Sequence, residues 1–143
     1  MIPVLFWIRE IGVISPGGSQ MKVDGSCFCG YLTYAAEIDP ATVVLCHCKD
    51  CQVLGGSAFH VIVPALEGSF RLLTGEPTIY VKTAERGNRR NLAFCPKCST
   101  AIYSGPGDAN SKYFGLRAPT LRQFRELVPT HGVWRPVIAS LDR

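Results

Sequence analysis

Cys46-His47-Cys48-Lys49-Asp50-Cys51-Gln52 packs three thiols into six residues. Zinc takes thiolate sulfurs at about 2.3 Å in a tetrahedral array. A C-x-C followed by x-x-C lets one short turn supply three of them. His47 lies between two cysteines, so its side chain should project away from theirs and leave the set without an obvious fourth donor. Three protein ligands and an open position distinguish catalytic from structural zinc. The other four cysteines form two tight pairs, Cys27-Phe28-Cys29 and Cys95-Pro96-Lys97-Cys98, enough to close a second site. The sequence therefore predicts two zinc ions per chain, one sealed and one open.

Spacing alone leaves other partitions standing. Cys95 and Cys98 can also be paired with Cys46 and Cys48, leaving Cys27, Cys29 and Cys51 over. The closeness of Cys51 to Cys48 favours the split into four and three. In the competing structural reading both ions are saturated, with His60 or His131 as the fourth ligand of the trio. His47 is either a neighbour packed behind the metal ligands or a solvent-facing residue. Ser57 follows Gly55-Gly56, and those glycines would let backbone come close to a ligand beside the zinc turn. Arg86, Arg89 and Arg90 form a basic cluster that reads either as a solvated loop or as an attraction for a carboxylate.

At 143 residues, with 47% hydrophobic and 18% charged residues, the chain is a single globular domain. A net charge of +4 and a pI of about 8.7 suit a small anionic substrate. The excess is too weak and scattered to argue for nucleic acid. Seven cysteines, an odd count in metal-type spacings, argue for reduced thiolates rather than a secreted disulfide framework, and so for a cytoplasmic location. Met1 to Ile8 is apolar but contains Pro3, lacks a basic start and runs directly into Arg9-Glu10, so it is no export signal. It is also far too short to span a membrane. Residues 1–20 read as an N-terminal extension before a second start at Met21, with an ordinary strand and linker as the alternative. Residues 21–143 form the domain.

From Met21 onward, short β-prone runs alternate with turn signals. Strands are expected at Tyr31–Ala35, Thr42–Leu45, Ser57–Val63, Phe70–Thr74, Thr78–Thr83, Asn91–Phe94, Ala101–Ser104 and Tyr113–Leu116. Val133–Ile138 reads as a closing strand. One short C-terminal helix is predicted over Thr120–Leu127, with Thr120 as its cap and Leu121, Phe124 and Leu127 as an apolar stripe against the core. The fold class is mainly β.

Gly25-Ser26-Cys27-Phe28-Cys29-Gly30, Tyr34, the cysteine stretch from Cys46 to Gln52, Gly56-Ser57-Ala58-Phe59, Gly75-Glu76-Pro77, Tyr80 and Phe94-Cys95-Pro96-Lys97-Cys98 occur in that order. This pattern resembles the glutathione-dependent formaldehyde-activating enzyme family, which includes the zinc domain of centromere protein V. The resemblance runs from about Met21 to about Trp134. It implies a β-tent of several small coiled antiparallel sheets around zinc. It also assigns Cys27, Cys29, Cys95 and Cys98 to a structural ion and Cys46, Cys48 and Cys51 to a catalytic one, with Gln52, Gly56 and Ser57 beside the substrate. The implied activity is reversible carbon–sulfur bond formation between formaldehyde and glutathione. Two departures stand out. Ser99 follows the last cysteine where the family usually has glycine, and the Pro-Trp that ends many members is absent after Trp134.

Three functions follow as expectations. The first is a zinc-dependent carbon–sulfur lyase resembling S-(hydroxymethyl)glutathione synthase. The second is a non-catalytic zinc module carrying glutathione or another small thiol. The third is an interaction domain contacting a macromolecule. No membrane partner is expected, and the oligomeric state is not encoded in any feature of the sequence.

Overall fold

The computed structural model describes residues 19–83, 87–107 and 112–133. β1 (Met21–Ser26) and β2 (Thr33–Ile38) pair antiparallel, from Met21 opposite Ile38 to Ser26 opposite Thr33. β5 (Arg71–Thr74) adds to β2 to complete a three-stranded sheet. The second sheet has seven strands in the order β10-β3-β4-β9-β8-β7-β6. These are β3 (Val44–Cys46), β4 (His60–Pro64), β6 (Thr78–Thr83), β7 (Arg89–Phe94), β8 (Ala101–Pro106), β9 (Gly115–Arg117) and β10 (His131–Val133). Every pairing is antiparallel except β10 with β3. The mainly β expectation holds.

Period-2 alternation decides what each face of the larger sheet carries, because cross-strand partners share a face. Val63, Leu116 and Tyr103 lie in one row of partners and face the core. There they meet Leu32, just before β2, and Tyr34 and Ile38 of β2, all fully buried. Phe70 sits at the seam, stacked on Phe114 at 4.6 Å and edge-on to Tyr103 at 4.8 Å. Such aromatic pairs add about 0.5–1.5 kcal/mol beyond area burial. The opposite face carries Cys46, His60, Ile62 and Arg117, and it is this face that bears the chemistry.

The single α-helix among the described residues, α1 (Lys49–Gly55), lies where sequence reading placed only a turn. Cys48 caps it, Asp50 stands in its first turn, and Gly56 ends it with φ +61°. That left-handed stop suits glycine. Thr120–Leu127, expected as a helix, instead forms two separate 3-10 turns, Ala118–Thr120 and Phe124–Glu126. Competing tertiary bonds explain the correction. Leu121 bridges to Gly25, the Arg122 amide donates to the Asp24 carbonyl, and the Gln123 amide side chain binds Asp24 at both ends. Backbone groups that a helix would use internally are committed elsewhere. The apolar stripe nonetheless packs inward, with Leu121 and Leu127 buried. β4 also begins later than expected, at His60, and β10 takes up the start of the predicted closing strand. The rest of that strand, Trp134 onward, lies outside the described residues, as do residues 1–18 and Arg86.

Tyr34 ties the two sheets together. Its ring packs so closely on Gly25 that a side chain there would collide with it. Its hydroxyl donates to Thr120 Oγ1 at 2.6 Å, because the Thr120 hydroxyl spends its own proton on the Arg117 carbonyl at 2.7 Å. Burial pushes the Tyr34 pKa up to about 12, with the Thr120 bond opposing and Asp24 reinforcing the rise. Between pH 10 and 12 the unfolded chain therefore binds fewer protons than the folded one, and stability falls as pH rises. Tyr34→Phe should cost about 1 kcal/mol at neutral pH. It should also remove up to about 2–3 kcal/mol of the alkaline loss. Denaturant titrations of both proteins at pH 8 and pH 11.5 read the difference.

Candidate metal centres

Cys27 and Cys29 occupy the turn between β1 and β2, and Cys95 and Cys98 the turn between β7 and β8. One pair belongs to each sheet. Their four ligand atoms lie within 4.8 Å of one another. Cys27 Sγ is 3.6 Å from Cys29 Sγ, and Cys29 Sγ is 3.8 Å from Cys95 Sγ. A tetrahedron of sulfurs at the zinc–sulfur bond length has edges of roughly 3.8 Å. All seven cysteines are free thiols. The turns also supply donors to the sulfurs: Leu32 N–H points at Cys27 Sγ at 3.2 Å and Lys97 N–H at Cys95 Sγ at 3.4 Å. Amide donors of this kind favour thiolate over thiol. Thr100 joins the halves, accepting from Phe28 N–H while its hydroxyl lies 3.1 Å from Cys98 Sγ. No sequence signal singled out Thr100.

Ser99 is the one non-glycine residue with positive φ among the described residues, at +63°. It occupies the position where the sequence pattern led us to expect glycine. The left-handed backbone lets Ser99 N–H reach the Cys95 carbonyl at 2.9 Å and close the turn. A β-carbon in that conformation costs about 1–2 kcal/mol.

The second cluster comes from one continuous stretch. Cys46 ends β3, Cys48 caps α1 and Cys51 lies in its first turn, and their sulfurs also fall within 4.8 Å of one another. Among the described residues, no fourth Cys, His, Asp or Glu ligand atom joins them within that distance. Each thiol of the trio is tuned by the other two. Hydrogen bonds from Cys46 and then Cys51 hold Cys48 far below the usual thiol range, helped by the Cys51 amide and the charge of Lys82. Cys46 is pushed up to about 11, chiefly by its bond to Cys48. Cys51 is pushed up by its bonds to Cys46 and Cys48 and by burial. Three thiols this close cannot all ionise without a cation between them. Both donor sets therefore fit a divalent thiophilic ion, and the two clusters could each hold a metal.

The residues around the trio are now placed. His47 is buried, edge-on to Phe59 at 5.4 Å, with its Nδ1 enclosed and unpartnered among the described residues. The solvent-facing alternative for His47 does not hold. His60 stands opposite Cys46 on β4, its ring against Gly55 of α1. Burial, reinforced by Arg117 and opposed by Cys48, pushes the His60 pKa down to about 4, so it is neutral at neutral pH. It does not join the trio as a fourth ligand. His131 enters β10 opposite Val44, and its side chain lies outside the described residues. Gln52 donates its amide to the Ala58 carbonyl at 3.1 Å, and the Ser57 hydroxyl donates to the Phe59 carbonyl at 2.7 Å. Together with Gly56 they shape the loop that follows α1.

Asp50 of α1 pairs with Lys82 of β6, five strands away in the sheet order from β3. In a flat sheet those strands would be roughly 24 Å apart. The ion pair is possible only because the sheet curls around its site-bearing face, so the trio looks into a concavity. Arg90, from the basic cluster, reaches this face opposite Lys82 and stacks over the Tyr113 ring at 4.9 Å. Arg89 is exposed. Sequence reading missed Arg117, although an arginine inside the apolar run Phe114-Gly115-Leu116-Arg117-Ala118 is itself a signal.

Fold and clusters define a mainly β domain with two cysteine centres suited to metal. The chain belongs to the glutathione-dependent formaldehyde-activating enzyme family, whose model matches residues 22–136. A crystal structure of a Rhodobacter sphaeroides protein, a structural-genomics target, is similar with a TM-score of 0.59. It shares 20% identity over 77% of this chain and 99% of that one, which shows a common fold. No curated protein matches the chain. Among the described residues, no helix is long and apolar enough to cross a membrane.

Two outcomes are expected. Cys95→Ser should lose one metal equivalent together with cooperative unfolding, because its cluster joins both sheets, whereas Cys51→Ser should lose one equivalent and remain folded. Metal analysis beside thermal melts checks this, and the reverse pattern would exchange the roles of the clusters. Ser99→Gly should stabilise the protein by about 0.5–1 kcal/mol by removing left-handed strain, less the extra freedom of glycine in the unfolded chain.

Proposed function

We propose that this protein is a zinc-dependent carbon–sulfur lyase that joins glutathione and formaldehyde reversibly, as S-(hydroxymethyl)glutathione synthase does. The observation that carries this reading is the trio Cys46, Cys48 and Cys51, three sulfurs in ligating range without a fourth protein donor among the described residues. Cys27, Cys29, Cys95 and Cys98 would hold a structural zinc, and the trio a catalytic one. Zinc held by the trio supplies a position where a substrate thiol loses its proton and is kept as thiolate at neutral pH. Three thiolates outweigh the charge of the ion, so polarising an aldehyde oxygen there is disfavoured and activating the sulfur is favoured.

The chain's own residues shape the rest. In the forward direction the sulfur lone pair forms the C–S bond, the carbonyl π pair moves to oxygen, and that oxygen takes up a proton. The reverse step breaks the same bond and returns the proton. The curl of the sheet encloses these atoms on one side. The loop shaped by Gln52, Gly56 and Ser57 flanks the trio and offers backbone to the bound thiol. Arg117, and Lys82 paired with Asp50, bring positive charge beside the trio, which favours an anionic substrate. Seven free thiols support a reducing, cytoplasmic setting.

Thiols add to formaldehyde readily without help, so the test is one of exchange rate. Zinc-loaded protein should accelerate interconversion of glutathione and its hydroxymethyl adduct in magnetisation-transfer NMR, and Cys51→Ser should return it to the background rate. Equal rates for the two proteins would remove the enzyme reading.

A further inference from the structure

Arg117 is 9% exposed, and its Nε is enclosed without a hydrogen-bond partner among the described residues. No described carboxylate pairs with it. Buried charges are ordinarily paired, because an uncompensated one costs several kcal/mol. Its place in the sheet is defined. Cys46 stands opposite His60, and two residues along β4 Ile62 stands opposite Arg117, so all four share the concave face. Two strand spacings and a two-residue offset separate Cys46 from Arg117, roughly 12 Å between backbones. An extended guanidinium covers much of that gap.

The surroundings are those of an anion pocket. Gly115, two residues before Arg117, has the Tyr113 hydroxyl folded directly over it, beside the Ile62 side chain. Tyr113 in turn lies under the Arg90 guanidinium. Two arginines thus flank one phenol on the floor of the concavity. The groups whose charge acts on Arg117 are Cys51, Tyr113, Cys46 and Cys48, against the opposing effect of its burial. None of them is a carboxylate. α1 contributes Asp50, which is already committed to Lys82.

We propose that Arg117 is the carboxylate anchor of this site, gripping the carboxylate of a small thiol whose sulfur lies beside Cys46, Cys48 and Cys51. The inference rests on the reading that the trio takes a substrate thiol, and it narrows the substrate class to thiols that carry a carboxylate, glutathione among them. A planar guanidinium matches a carboxylate with two parallel hydrogen bonds, which lysine cannot reproduce. Arg117 is held ready by its own strand. The Thr120 hydroxyl fixes its carbonyl, and Tyr34 fixes Thr120. Specificity and folding therefore meet at this residue.

Calorimetric titration of the zinc-loaded full chain with glutathione and with glutathione amidated at its glycine tests the assignment, since the two probes differ only in carboxylate against amide. The wild type should bind the carboxylate form tighter by about tenfold or more, as expected for a desolvated charge-assisted pair. Arg117→Met should bring the two affinities within about twofold while zinc content stays at the wild-type level. Equal affinities in the wild type overturn the inference and leave the thiol site standing. Binding of neither probe removes the thiol site itself. Should Arg117→Met weaken both probes alike and keep the preference, Arg117 merely offsets the thiolate charge and the inference fails. If that variant does not fold, the wild-type comparison alone decides.

Discussion

Mutual repulsion among crowded thiolates is the constraint on which this small domain depends. Seven cysteines sit in two clusters so tight that their full ionisation requires a cation at each centre. The four-sulfur cluster takes one pair from each sheet, so relieving its repulsion also fastens the sheets to each other. Metal binding and folding become one equilibrium in such an arrangement. The three-sulfur cluster is local to one strand end and one helical turn. Filling it constrains little beyond that turn, and it can afford to exchange a ligand.

Around this skeleton the sheet serves two purposes with one backbone. Its inner row buries Val63 and Leu116 against the aromatic seam at Phe70. Its outer row, offset by one residue, presents Cys46, His60 and Arg117 to the concavity. Because the side-chain period of a strand is two, a slip of one residue would lose the core and the site together. The Asp50–Lys82 pair marks where the sheet's curl brings the far edge strand up to α1. A surface pair of this sort adds little stability. It reports the shape and does not cause it.

Charge ties the two levels together. The trio gathers thiol sulfurs, and on ionisation their negative charge, in a partly buried place. Arg117, Arg90 and Lys82 answer it from three different strands. His60, squeezed between a buried arginine and the thiols, stays neutral and adds no further charge. Tyr34 and Thr120 connect this balance to the core through the carbonyl of Arg117.

Local chemistry in the chain was enough to determine the cysteine sets, the mainly β character and most strand positions, since ligand spacing, β-branched runs and turn residues act over a few neighbours. The split into four and three was favoured by spacing and fixed by resemblance before any coordinates. Only the tertiary structure decided the rest. The helix at Lys49–Gly55 carries recognisable marks, a cap at Cys48, Asp50 and a glycine stop, yet seven residues around the last cysteine of the trio read equally well as a turn. The helical pattern at Thr120–Leu127 lost to bonds with Asp24 and Gly25, nearly a hundred positions away. Arg117 meets the thiols through strand register and sheet curl, which depend on contacts between segments remote in sequence. Spacing along a chain reports what one turn can bind; which distant charge faces it is settled by packing.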